Sequence, residues 1–194
     1  MELNPRPPAE PVQIGTGDPM TALPTWIADG RVDEAVNARG RQRWLERQAE
    51  EEATLAGVLL DLAERHRPVT ITTTRGHRLS GAVTAVGADF GALRDHRPGD
   101  ALVPSSRIAI VRPAPGDGLP TGDRTVSVTR TFRDAMMELA PERPDCIVAV
   151  GAEQLHGELR AASPELVALA LDGDRRELVH VSVAAIDHVI ALQR

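Results

Sequence analysis

Arg75, His77 and Arg78 crowd one short stretch of the chain, and Arg94, His96 and Arg97 crowd a second. Guanidinium groups beside imidazoles neutralise phosphate, so the chemistry on offer is contact with a nucleic-acid backbone. If the two stretches are turns on one rim, Arg75, His77, Arg78, Arg94 and Arg97 form a basic patch; the other reading is a solvated surface. Single-stranded nucleic acid is ordinarily held by aromatic rings stacked on bases in a basic groove. The aromatics here are only Trp26, Trp44, Phe90 and Phe132. Phe90 and Phe132 fall at core positions, and the tryptophans lie outside the regular repeat described below. Contact with RNA would therefore be weak and blind to sequence, and no DNA specificity is expected.

Other chemistry has less to stand on. The histidines, at 66, 77, 96, 156, 180 and 188, show no HExxH and no closely spaced Cys/His pattern, so no metal is expected. Asp187 and His188 are adjacent, and as neighbours on a strand they would point to opposite faces. Ser105, Ser106 and Ser163 lack a GxSxG context. Gly15-Thr16-Gly17-Asp18 lacks the GK[ST] ending of a phosphate loop. Cys146, the single cysteine, sits in the apolar run DCIVAV and reads as a small buried hydrophobe. The expectation is a protein that is not an enzyme and carries no cofactor. With no apolar run of about 18 residues and no basic-then-apolar leader, the expected location is the cytoplasm and no membrane partner is expected.

The elements that would position these residues come twice. TLAGVLLDLAERHRPVTITTTRGHRLSGAVTAVGADFGALRD, from Thr54, matches TFRDAMMELAPERPDCIVAVGAEQLHGELRAASPELVALALD, from Thr131, at an offset of 76 to 78 residues. With one residue dropped before the first strand, Pro68, Ile71, Leu79 and Gly81 meet Pro144, Ile147, Leu155 and Gly157; later, Ile108 and Val111 meet Ile186 and Val189. Leu55, Val58, Leu59 and Leu62 form one helical stripe, repeated by Phe132, Ala135, Met136 and Leu139. Pro68 and Pro144 then open a strand region. Strands are predicted at Val69 to Thr73, Leu79 to Val86, Phe90 to Arg94, Ala101 to Val103 and Ile108 to Val111. Residues 1–28 read as a flexible Pro-rich arm, 29–53 as a helical extension with a break near Gly40, 54–112 as the first unit, 113–130 as a Pro/Gly linker and 131–194 as the second unit. A short strand is expected at Thr125–Thr129. Thr54 is a candidate cap should a helix restart there.

Charge separates the copies. Residues 54–113 hold 8 Arg and 5 acids, whereas 131–194 hold 6 Arg and 11 acids, within a chain of net charge −6. Opposite signs favour contact between the copies, within a chain or head to tail between chains; drift of an ordinary surface is the alternative.

One helix and five short strands with a glycine inside the second strand, carried by Val69, Ile71 and GHRLSGAVTAVGADFGAL, resemble the Sm-like fold. The resemblance implies an α+β, mainly β architecture: two tandem Sm-like, SH3-like open five-stranded barrels, each preceded by a helix, with Gly81 and Gly157 as the glycines that let a strand bend. It also implies joining through strand edges. It does not bring the family's RNA site. The Asp and Asn of its first motif fall on Gly87 and Gly91, and on Ser163 and Val167 in the second copy. Its second motif is replaced by Val103-Pro104-Ser105-Ser106 and Val181-Ser182-Val183.

The functional expectation is a non-enzymatic Sm-like scaffold or protein-interaction module that self-associates. Its last strands, Ile108–Val111 and Ile186–Val189, would make the contact, either within the chain or in a homo-oligomer such as a ring. The alternative is a weak, sequence-nonspecific RNA-binding protein using a basic rim on the first unit.

Overall fold

The computed structural model describes residues 39–45, 47–48, 51–95, 99–116, 122, 124, 128–173 and 177–192. It divides into two compact units, Met1–Leu45 and Glu46–Arg194. In the first unit, 39–45 are helical, with Trp44 and Leu45 exposed. The helix runs through Gly40, where a break was expected; among the described residues the interruption falls at 52–54. Residues 1–28 lie outside the described part, as do 125–127 of the expected strand, and Val128 and Thr129 have no regular structure.

In the second unit, helix α1 (Leu55–Arg65) starts where the sequence offers a cap: the Thr54 hydroxyl accepts the Gly57 N–H at 3.0 Å. Such a cap contributes about 1 kcal/mol. Helix α2 (Phe132–Leu139) has a reciprocal cap, in which Thr131 Oγ1 accepts from Asp134 N and Asp134 Oδ2 accepts from Thr131 N. The Thr131 N–H and hydroxyl, both donating to Asp134 Oδ2, hold the Asp134 carboxyl below the usual carboxylate range.

Ten strands follow the helices: β1 (Pro68–Thr73), β2 (Arg78–Val86), β3 (Phe90–Asp95), β4 (Asp100–Pro104) and β5 (Ile108–Pro113) after α1, then β6 (Asp145–Val150), β7 (Glu153–Ala162), β8 (Leu166–Leu171), β9 (Leu178–Ser182) and β10 (His188–Ala191) after α2. The α+β, mainly antiparallel architecture is as expected, but the sheets are not separate. One open sheet runs in the order β5-β1-β2-β3-β4-β10-β6-β7-β8-β9. Each half has the same internal order, and the fourth strand of the first half pairs with the last strand of the second. The expected contact of last strand with last strand is therefore corrected: β10 lies in the seam, while β5 and β9 are the ends of the sheet.

The repeat register also needs one correction. Gly81 and Gly157 are opposite Val69 and Cys146, and Leu79 and Leu155 are opposite Ile71 and Val148. Ile71 therefore corresponds to Val148, not to Ile147, and the dropped residue belongs to the turn after the first strand rather than before it. Burial agrees, since Ile71 and Val148 are both buried and Ile147 is only half-buried. A slip of one residue exchanges the two faces of a strand, so packing decides between the registers.

Two cores result. Leu59, Leu62, Val69, Ile71, Val83 and Leu93 anchor the first. The second gathers Met136, Val148, Leu159, Leu169 and Ile186 under α2, and takes Phe90, Ala92 and Leu102 from the first half. The second strand of each half carries a bulge at the same place, at Thr84 and Arg160, just beyond Gly81 and Gly157; bulges bend and twist a strand. At Gly157 the reason for glycine is space: a Cβ would meet the Ala170 carbonyl oxygen at 2.2 Å. Gly157→Ala should therefore destabilise the fold by about 1–3 kcal/mol, as overpacking does. Urea unfolding measures this, and an unchanged midpoint would contradict the close approach.

Candidate functional site

The residues with chemistry converge on the seam between the halves. Its ladder is short: Val189 lies opposite Leu102, Ile190 opposite Ala101 and Ala191 opposite Asp100. Beyond its end, side chains from turns of both halves form a polar clasp. His77 Nε2 donates to the Gly151 carbonyl at 2.8 Å, and Gly151 N donates to Asp187 Oδ2 at 2.7 Å. Arg107 Nη2 donates to the Ala184 carbonyl, and its Nε stands 3.7 Å from Asp187 Oδ1. That separation is an ion pair rather than a hydrogen bond, so Oδ1 has a charge partner and no donor. The His77 and His188 rings meet edge to face with centroids 5.0 Å apart. Asp187 and His188 are 1% and 2% exposed, and His188 Nδ1 is buried without a hydrogen-bond partner. Burial, and next to it the facing His77, pushes the His188 pKa down to about 4, against an opposing pull from Asp187.

Asp187 and His188 do not diverge as strand neighbours would. Asp187 sits in the bend before β10; its side chain meets the turn at Gly151, while that of His188 meets the ring of His77, which bonds the same turn. This cluster combines a buried carboxylate, a neutral imidazole and an arginine paired with the carboxylate, a set suited to locking two turns together. Among the described residues no group of three or more His, Cys, Asp or Glu is placed to hold a metal.

The basic residues are scattered in role. Arg75 and Arg78 are exposed beside the β1–β2 turn. His77 from the same turn is committed to the seam. Arg94 is paired in a two-pronged salt bridge with Asp100, at 2.9 and 3.0 Å, and Arg97 lies outside the described residues. Phe90 and Phe132 are core, as expected, and touch edge to face at 6.3 Å across the joint between the halves. Cys146 is buried too, and burial together with the charge of Asp145 pushes its thiol up to about 12.

The β2–β3 turn of the first half, where the resemblance would put base-reading residues, is occupied by the chain itself. Ala88 N donates to the Arg130 carbonyl at 2.8 Å, and Asp89 Oδ1 accepts the Phe132 N–H at 2.6 Å, at the first residue of α2. A Cβ on Gly87 would meet the Phe90 ring at 2.1 Å and the Arg130 carbonyl oxygen at 2.7 Å. An aspartate has no room there. Behind this turn a cleft of about 730 Å³ lies between β2–β4 and α2, lined by Phe90, Ala92, Leu102, Ala135 and Leu139. Of its charged lining residues, Arg130 and Asp100 are already paired, with Glu138 and Arg94, and Glu142 stands just past the end of α2.

Sequence reasoning singled out His77 and missed Arg107 and Gly151. A signal was available. Counted by the ladders, Arg107, Asp187 and His188 correspond to Ala185, Ala109 and Ile110 in the other half. At the seam, charged and imidazole side chains thus stand where the other half has alanine and isoleucine. No helix among the described residues is long and apolar enough to cross a membrane.

Because the pKa of His188 is lowered in the folded state, the unfolded chain takes up the proton first. Its contribution to stability is level above pH 6.5, falls as pH drops from 6.5 to about 4 and levels off below. At about 1.4 kcal/mol per pH unit the loss is about 3 kcal/mol. His188→Ile, which copies the other half's Ile110, should remove that part of the pH slope. Urea unfolding of both proteins from pH 7 to 4 measures this, and equal slopes would contradict it. Neither a protein-family model nor a curated protein matches this chain, so its function has to be argued from the seam, the filled turn and the two ends of the sheet.

Proposed function

We propose that this chain is a non-enzymatic scaffold built from two fused Sm-like, SH3-like barrel units, which self-associates through the strand edges at the two ends of its sheet. The observation that carries this reading is the seam. Within one chain, an edge of the first half already accepts an edge of the second, so edge-to-edge joining is how this fold extends itself. The sheet then stops at β5 and β9. Edge strands present unpaired N–H and C=O groups and ordinarily carry charge or proline to discourage pairing. LVHVS of β9 has neither; β5 carries Arg112 and Pro113 at its end, but its middle shows Ile110 at 42% exposure.

The RNA-binding alternative has less behind it. Of its candidate residues, Arg94 is paired, His77 is used by the seam, and the turn that would read bases holds Arg130 and Phe132. Arg75 and Arg78 remain, with Arg97 outside the described residues, on a chain of net charge −6, and three arginines per chain give little counterion release.

Light scattering at micromolar to millimolar concentration should give a mass above that of one chain. Ile110→Glu should weaken association by about tenfold or more, equivalent to ~1.4 kcal/mol, whereas Arg75→Gln with Arg78→Gln, which leaves the first half with 6 Arg against 5 acids, should weaken it far less. A mass of one chain throughout, or assembly lost only on neutralising those arginines, would contradict the reading.

A further inference from the structure

We infer that the partner of both open edges is a second copy of this chain, joined head to tail, with β5 of one copy antiparallel to β9 of the next and Val111 opposite His180, Arg112 opposite Val179 and Pro113 opposite Leu178. This rests on the self-association proposed above and specifies its geometry. The register follows from the chain's own ladders. Val111 and Val189 are opposite Ile71 and Val148, which correspond, so β5 is the counterpart of β10. Phe90 is opposite Pro104 and Leu166 is opposite Ser182, so β9 is the counterpart of β4, with His180, Val179 and Leu178 in the places of Leu102, Ala101 and Asp100. Carrying the seam's three pairs onto these strands gives the stated register.

Exposure supports a missing neighbour of that shape. Ile110 is 42% exposed where its counterpart His188 is 2% exposed, and Leu166 is 45% exposed where Phe90 is 4% exposed. Val179 is half-buried and His180 exposed, where Ala101 and Leu102 are buried. The two ends of the sheet are thus the two sides of a seam that the chain closes once internally and leaves open once. Charge selects head to tail over like with like. The β5 end belongs to the half with 8 Arg and 5 acids, the β9 end to the half with 6 Arg and 11 acids, and opposite fields favour their encounter. Pairing of two β5 edges or two β9 edges would oppose like charge. Head-to-tail contacts form rings when the rotation closes and filaments when it does not.

The junction between chains is plainer than the seam. Ala109 and Ala185 stand where Asp187 and Arg107 form the ionic clasp. Pro164 stands where the Ala88 N–H holds the linker, and Pro113 where Ala191 faces Asp100; neither has an N–H to give. Strand pairing and burial of Ile110, Leu166 and Leu178 remain. The junction should therefore come apart by dilution while the chain stays folded.

Engineered cysteines test the register. Arg112→Cys with Val179→Cys pairs one exposed and one half-buried site, and Cys146 is buried with its thiol pushed up to about 12, so it stays out of the exchange. Under mild oxidation the double variant should give a ladder of disulfide-linked chains on a non-reducing gel. Mixing the two single variants should give dimers only, and either single variant alone should give none. Arg112→Cys with Glu177→Cys, displaced by two residues at an exposed position, should cross-link at least tenfold less. Dimers from a single variant, equal cross-linking of the displaced pair, or an oligomer by light scattering that does not cross-link would overturn the inference while leaving self-association intact. A monomeric mass without cross-links would remove both.

Discussion

The short antiparallel ladder between β4 and β10 is the contact on which the rest of the molecule depends. Each half buries only a small core of its own, and a unit of roughly 60 residues leaves much of its apolar surface uncovered. Pairing β4 with β10 joins the two sheets and brings α2 over the first half, so that Phe90, Ala92 and Leu102 become part of the second core. The clasp of Arg107, Asp187, His77 and Gly151 then ties the turns beyond the ladder. Buried ionic groups are costly unless they are matched. Keeping Asp187 and His188 where the other half has Ala109 and Ile110 is consistent with a joint chosen for specificity.

The same joint fills the β2–β3 turn of the first half. Gly87 has the Phe90 ring and the Arg130 carbonyl where a Cβ would stand. Asp89 serves as acceptor for the start of α2. A turn that could have faced a base is consumed in holding the linker and the second helix. The second half's turn, Ser163 to Glu165, closes on itself through Ser163 Oγ and Leu166 N, at the open end of the sheet.

Much of the fold was legible because its determinants are local. The stripe of Leu55, Val58, Leu59 and Leu62, the alternation from Val69 to Thr73, and Thr54 as a cap all act within a few residues. The predicted strands of the first half lie within the observed ones. The dropped residue was misplaced because Pro68 and Pro144 match by type, while the ladder aligns Val69 with Cys146 on the buried face. The seam was not legible, because which edge meets which is a long-range choice between equivalent ladders. Its one local trace was the change from Ala185, Ala109 and Ile110 to Arg107, Asp187 and His188, a contrast that lies at the same offset as the match of Ile108 with Ile186 but does not say which strands meet. Arg94 shows the same limit: its partner Asp100 lies on the neighbouring strand, and the sequence presented it as a free cation.

Backbone hydrogen exchange followed across protein concentration tests the central claim most directly, because it reports each strand separately. The amides of β4 and β10 should be protected at every concentration, since their ladder is internal to the chain. Those of β5 and β9 facing away from their neighbours should exchange readily in dilute solution and gain protection together as concentration rises. Protection of β5 and β9 that is independent of concentration, or exchange at β4 and β10 as fast as at the free edges, would contradict the account.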